Sequence, residues 1–250
     1  MNSDFKVEPQ YSKTFFLAAG QCNAEGFLPL QWLIQRLIDV ATLHANSINI
    51  GYERLKEYGA SWVLHSVAVS MDSYPRVNES FTVETWIVKT SVASSDRAFR
   101  ILDQNNKVIG YALTTWAAID FEKRRAVRLA NILTEGLPDN GIYPPMDRYK
   151  RTERISDPTD VFNYRFLYTD LDCNRHVTSR RHVELMLNCL PLDFFDKYIV
   201  SRLELAFHTE ALFGQDAAIT FCRDDERSAR MEITVGTSLL SAARICVKEL

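Results

Sequence analysis

The run TDLDCNRHV, residues 169–177, sets an acid, an amide and an imidazole at alternate positions: Asp172, Asn174 and His176, with a further acid, Asp170, just upstream. In extended backbone, alternate side chains point to one side. An imidazole moves protons near neutral pH. A carboxylate orients a water or accepts its proton, and an amide donates to a developing oxyanion or holds a carbonyl. The trio suits hydrolysis by an activated water. Asp and Asn are also the residues of polar turns, where their side chains bond nearby backbone; the presence of His176 beside both is what points to a site. Glu210 ends the apolar alternation of RLELAFHTE and could complete that site, although a lone acid at a strand end is ordinarily just solvated. His208 shares the face of Glu210 in a strand and reads as structural.

Other chemistries find less support. His176 and His182 are six apart, not the i, i+4 spacing of helical zinc ligands, and there is no H-E-x-x-H. No G-x-S-x-G offers a serine nucleophile, and no Walker A or G-x-G-x-x-G loop is present. Cys173 lies inside the motif, but free cysteines serve more often as small packing residues, so it ranks below water. Basic clusters occur at 122–128 (EKRRAVR), 147–154 (DRYKRTER) and 175–181 (RHVTSRR). Such runs are mostly solvated faces. The third adjoins the proposed site, which makes Arg175, Arg180 and Arg181 candidates for receiving an anionic partner.

These residues need elements to position them. PLQWLIQRLIDVATLHA places Leu30, Leu33, Ile34, Leu37 and Ala41 on one face of a long helix, with Pro29 suited to its first turn. The period then changes to 2 in SVAVSM and FTVETWIV, followed by AFRIL and VIGYALTTWAAI around a hairpin turn at 103–107. In the second half, SRRHVELMLNCLP places Val183, Met186, Leu187 and Leu190 on a helical face stopped by Pro191. IVSRLELAF, AAITFCR, RMEITV and AARICVK follow as strands. Residues 64–83 lie over 201–220 at an offset of 137 with the same order of elements, Asn78-Glu79 over Gln215-Asp216. The predicted fold is α+β: a double hotdog of two tandem halves, each a long helix wrapped by an antiparallel sheet that buries one face on it. Joined edge strands would extend the sheet and remove an exposed edge. The expected organisation is a first half over 1–135, a Pro- and charge-rich linker over 136–160, and a second half over 161–250.

The chain of 250 residues is 46% hydrophobic and 24% charged, ordinary for a soluble globular protein. A net charge of −3 gives no global attraction to nucleic acid or anionic membrane. Five scattered cysteines without CxxC spacing argue against a disulfide framework and a zinc site, and for a reducing compartment. No secretory pattern opens the sequence, and no apolar run reaches the ~18 residues of a spanning helix.

On these residues the sequence resembles the acyl-ACP thioesterase family over roughly residues 10–248. DLDCNRHV matches that family's D-L-D-x-N-x-H-V run before its second hotdog helix, and HTEALFGQD its following segment, where a glutamate precedes Gly-x-Asp. YPRVNESFTVETWI resembles its segment that opens on Y-P and closes on E-T-W, and GYALTTWAAIDFEKRRAVRL its strand with W-x₇-R-R. The resemblance implies a monomer or homodimer that needs no cofactor and hydrolyses the thioester of fatty acyl-ACP. It puts Asp172, Asn174 and His176 on the family's catalytic D-x-N-x-H and Glu210 on its later glutamate. The acids and histidine would prepare a water, the asparagine would help fix the substrate, the first half would shape the acyl pocket and the second carry the catalytic groups. The acidic carrier would meet Arg175, Arg180 and Arg181, or else the Lys123–Arg125 run. Two departures stand out. Thr178-Ser179 replace the family's frequent Asn-Asn, which removes any catalytic amide there but leaves a helix cap. Ala211 stands where plant members carry a cysteine, which excludes that nucleophile. The absence of a plastid transit segment favours a bacterial, cytoplasmic enzyme. A hotdog acyl-CoA thioesterase, a non-catalytic acyl or acyl-carrier binding module and, less so, a hotdog dehydratase are the alternatives.

Overall fold

The computed structural model describes residues 7–133 and 136–250. The first six residues of the N-terminal stretch and the half-boundary expected at 135 lie outside the described residues. Strand β1 (Tyr11–Phe16) leads into helix α1 (Leu30–Ser47) and the short α2 (Tyr52–Lys56). Strands β2 (Ala60–Met71), β3 (Ser80–Thr90), β4 (Ser94–Leu102) and β5 (Val108–Asp120) follow. After residues 136–159 come β6 (Asp160–Arg165), α3 (Ser179–Leu187), the single-turn α4 (Leu192–Phe195), β7 (Tyr198–Phe207), β8 (Asp216–Arg223), β9 (Ser228–Val235) and β10 (Ser238–Glu249).

All ten strands form one antiparallel sheet in the order β1-β3-β4-β5-β2-β7-β10-β9-β8-β6. Read from the middle outward the two sides match: β2 corresponds to β7, β5 to β10, β4 to β9, β3 to β8 and β1 to β6. The fold is a double hotdog. The join is the β2–β7 ladder, Ser66↔Ala206 through Ser70↔Arg202, so each half's inner edge is paired rather than left open. The outer edges, β1 and β6, are six residues each, short enough to offer little template for unwanted pairing.

The helix face predicted for α1 is buried as Leu30, Leu33, Ile34, Leu37, Val40 and Ala41. Each fully buried aliphatic side chain contributes roughly 1.5–3 kcal/mol, and they join the Val67, Val69, Leu203 and Leu205 side chains in one core that crosses both halves. The second helix is shorter than its pattern suggested. It stops at Leu187, and Leu190 is carried on the turn before Pro191. The strands after α1 are not a simple meander: β3-β4-β5 run in sequence, but β2 folds back beside β5. Residues 136–159 form no helix or strand, yet they are pinned along the face of the sheet away from the helices. Trp86 Nε1 donates to Ile142 O at 2.8 Å, Tyr143 and Met146 pack on Trp86, Val88 and Leu113, and Arg154 Nε reaches Glu232 at 2.9 Å. No helix among the described residues is long and apolar enough to cross a membrane.

Candidate active site

The motif does not run in extended backbone, as its alternation suggested. It is a tight turn closed by Asp172 N–H donating to His176 O at 2.8 Å and Arg175 N–H donating to Asp172 O at 3.0 Å. Arg175 takes the left-handed conformation at φ 64°, unusual for a long side chain. Asp172 Oδ1 accepts the backbone N–H of Asn174 at 2.8 Å and of His176 at 3.0 Å. That carboxylate therefore fixes the turn, in the manner expected of a polar loop, while His176 points onward. The turn is held in place because His176 bridges to Leu212 and Val177 N–H donates to Ala211 O at 2.9 Å. Gly214, at φ 76°, supplies the left-handed residue that lets the 211–215 segment double back. Thr178 caps α3, its Oγ1 accepting Arg181 N–H at 3.2 Å.

This arrangement brings His176 Nε2 to 3.3 Å from Glu210 Oε2, with both side chains about two-thirds or more covered (27% and 32% exposed). Burial lowers the His176 pKa; the nearby Arg124 charge acts the same way, and Asp172 opposes it. The lowered pKa favours the uncharged imidazole, the form a general base requires. Glu210 also meets Arg124 Nη2, which comes from the first half of the chain. Arg124 sits at φ 52° in a turn whose Asp120 Oδ1 accepts the Glu122 and Lys123 N–H groups at 2.9 and 2.7 Å. Sequence reasoning placed Arg124 in a basic run for a carrier and missed this pairing; the only signal for it was the W-x₇-R-R resemblance.

Asp172, Cys173, Asn174, His176 and Glu210 line one end of a cavity of about 460 Å³. The first half supplies much of the rest: Ile38, Ala41 and Ala45 of α1, Trp62 and Leu64 of β2, Ile87 of β3 and Trp116 of β5. A mostly apolar chamber with converging polar groups at one end is the usual form of a small-molecule site. Of the three arginines expected to face an anionic partner, only Arg175 is exposed. The Arg180 guanidinium lies over the Trp32 ring at 4.8 Å, tying α3 to α1. Arg181 turns inward, its Nε 2.7 Å from the buried Asp170 as an ion pair without an aligned N–H, and its Nη1 3.0 Å from Glu184. His208 lines the cavity, but its electrostatic neighbours are His65, Arg151, Arg154 and Glu232. His182 is buried and bonded to Ser241 Oγ at 2.8 Å. Among the described residues no cluster of His, Cys, Asp or Glu could hold a metal.

The loop before α1 repeats the fold of this turn. Asn23 Oδ1 accepts Phe27 N–H at 2.7 Å as Asp172 Oδ1 accepts His176 N–H. Gly26 (φ 80°) stands for Arg175, Phe27 bridges Arg76 as His176 bridges Leu212, and Leu28 N–H bonds Pro75 O as Val177 N–H bonds Ala211 O. Asn23, Glu25, Phe27 and Tyr74 thereby occupy the places of Asp172, Asn174, His176 and Glu210, around a second cavity of about 200 Å³. Asn78 and Gly214 are the matching left-handed residues, so the structural offset here is 136 rather than 137.

Residues 8–137 match the family model of the acyl-ACP thioesterase N-terminal domain and residues 154–241 that of the C-terminal domain. A palmitoyl-acyl carrier protein thioesterase of Cuphea hookeriana is 20% identical over 80% of this chain and 51% of its own length. A dodecanoyl-[acyl-carrier-protein] hydrolase of Umbellularia californica is 21% identical over 80% of this chain and 56% of its own. The chain spans about half the length of these curated relatives. Among solved structures, an acyl-ACP thioesterase of Bacteroides thetaiotaomicron superposes with a TM-score of 0.86 at 25% identity, covering 95% of this chain and 97% of that one. A 12:0-ACP thioesterase of Umbellularia californica gives a TM-score of 0.86 at 16% identity, covering 98% and 100%.

Proposed function

We infer that this chain, which belongs to the acyl-ACP thioesterase family, hydrolyses the thioester of fatty acyl-ACP to a free fatty acid and holo-ACP. The observation that carries this reading is the His176 imidazole held 3.3 Å from Glu210 at the polar end of an otherwise largely apolar cavity. The acyl chain lies in the apolar part, which the first half shapes, and the thioester carbonyl at the polar end, which the second half supplies. His176 and Glu210 together take a proton from a water as it attacks that carbonyl. The Asn174 amide holds the carbonyl oxygen as charge builds on it. The C–S bond then breaks and the sulfur leaves as a thiol with the proton returned by the imidazolium. Asp172 serves by holding the turn that aims His176.

The carrier is acidic, and the exposed Arg175, next to His176 in the chain, and Lys123 and Arg125, either side of the Glu210-paired Arg124, are the cations proposed to meet it, with binding that weakens as salt rises. The site is built within one chain, so we propose that a monomer suffices. Five free cysteines fit a bacterial cytoplasm as the place of action. The test is thiol release from acyl-ACPs of several chain lengths and the matching acyl-CoAs, by wild type and His176→Ala. The expected result is release from ACP esters that falls on the order of 10²–10⁴-fold in the variant. Equal turnover of CoA esters would favour an acyl-CoA thioesterase, and binding without any release would make the chain a binding module.

A further inference from the structure

The cavity contains a charge without a counter-charge. Arg97 of β4 is only 5% exposed and lines the same cavity as His176 and Glu210. Its Nη1 meets His44 Nδ1 at 2.6 Å and donates to Thr85 Oγ1 at 3.3 Å. Both partners are neutral, since burial and the Arg97 charge push His44 down to about 4. Among the described residues Arg97 has no carboxylate partner, and its Nε and Nη2 have no hydrogen bond yet are not sealed off by protein. Burial brings Arg97 down to about 10, so it stays charged at neutral pH. The sheet's other well-covered arginines are paired: Arg100 with Glu84, Arg202 with Glu204 and Arg230 with Asp224. An unpaired buried charge costs several kcal/mol, so a group that arrives from outside is the natural partner for this one.

The register locates that group. Arg97 pairs with Thr114, Thr114 with Val67 and Val67 with Leu205 of β7, four residues on one face of the sheet. Three strand spacings of ~4.8 Å put Arg97 about 14 Å from the strand that leads to Glu210. It is too far to serve the thioester carbonyl, but it lies in the chamber that would hold the rest of the chain. A guanidinium's Nε/Nη2 edge presents two parallel N–H donors, the match for a carboxylate.

Resting on the thioesterase reading above, we propose that the preferred acyl chain carries an oxygen group at its far end, a carboxylate in the first place, received by the Nε/Nη2 edge of Arg97. Acyl-ACPs of equal length ending in methyl, hydroxymethyl or carboxyl are compared for KM and kcat. At the fitting length the carboxyl-ended ester has a KM at least ten-fold below the methyl-ended one, the hydroxyl-ended ester falls between, and Arg97→Met inverts the order. A wild-type preference for methyl ends at every length, or an unchanged order in Arg97→Met, overturns the proposal. Calorimetric titration of wild type with an α,ω-dicarboxylate and a monocarboxylate of equal length reads the same subsite without turnover or a variant. Ten-fold tighter binding of the dicarboxylate supports it, and equal or weaker binding sinks it. If no thioester is hydrolysed but the dicarboxylate still binds tighter, the Arg97 subsite stands and the thioesterase reading falls.

Discussion

Two buried histidines should make the fold acid-labile well above the range in which its carboxylates titrate. His44 and His182 are 1% and 3% exposed, and burial lowers each pKa to about 4. The native state keeps both neutral, whereas the unfolded chain takes up protons near the ordinary value of about 6.5. Below that value the unfolded state binds more protons, so stability falls as pH falls and is fully retained above it. At 1.36 kcal/mol per unit, the window from 6.5 to 5 removes about 2 kcal/mol per histidine, or ~4 kcal/mol for both. That is a large part of the 5–15 kcal/mol typical of a domain. Asp120 and Asp225, both lowered by hydrogen bonds from nearby groups, contribute with the same sign only when pH falls further, through and below the usual carboxylate range. Urea unfolding followed by tryptophan fluorescence at pH 7.5 and 5.0 reads the loss directly. A difference under 1 kcal/mol would mean that neither imidazole stays neutral inside the fold, contrary to the burial argument, and one near 2 kcal/mol that only one of them does. His182→Gln, which keeps a polar partner for Ser241, should remove about half of the pH dependence, some 2 kcal/mol.

Arg124→Ala should raise the His176 pKa, because the Arg124 charge helps to hold it down. The acid limb of kcat/KM then moves to higher pH, a shift that a merely structural arginine would not produce; a pH–rate profile decides. Thr178→Ala removes the side-chain cap of α3 and should lower stability by ~1 kcal/mol, measured by urea unfolding at pH 7.5, where the histidine contribution is constant.

Much of the fold was legible because its signals are local. The period of α1, the switch to period 2 and the turn at 103–107 each belong to one stretch of chain, and the buried pattern of each element follows. The β2–β7 join was readable as an idea, since two half-sheets with free edges gain by pairing, but its register is a property of two distant strands. The repeat offset missed by one residue at Asn78 and Gly214 because identity is weak there and only the shared left-handed turn aligns them. In the site, residue types pointed to Asp172, Asn174, His176 and Glu210, but the geometry of the run did not follow from alternation. An Asp two and four residues before backbone N–H groups folds them around itself. Arg180 and Arg181 illustrate the other limit. Sequence places both beside the site, and only packing reveals that Trp32, Asp170 and Glu184 claim them. Arg97 and His44 gave no signal at all, since they lie 53 residues apart and meet only across the core.

The duplicated turn presents an acid, an amide and an imidazole to one chamber and different side chains to its counterpart. Both loops keep the backbone pattern, so the turn is a solution to entering a helix from a strand edge rather than a catalytic device in itself. The difference lies in what projects from it. At the first copy Phe27 stands in the histidine place and Tyr74 in the glutamate place, and the Tyr74 hydroxyl donates to Val200 O at 2.8 Å, filling space that Glu210 leaves open in the other copy. Helix length follows the same division. At 1.5 Å per residue the 18 residues of α1 extend about 13 Å further than the 9 of α3. The added turns carry Ala41, Thr42 and Ala45 into the larger cavity. Its counterpart has no such wall: α3 ends at Leu187, and Leu192 and Phe195 of α4 close the space instead. A long helix in one half therefore builds the chamber for a turn in the other. The half that lends the wall keeps the shared backbone frame of the turn but places Asn23, Glu25, Phe27 and Tyr74 where the other half places Asp172, Asn174, His176 and Glu210.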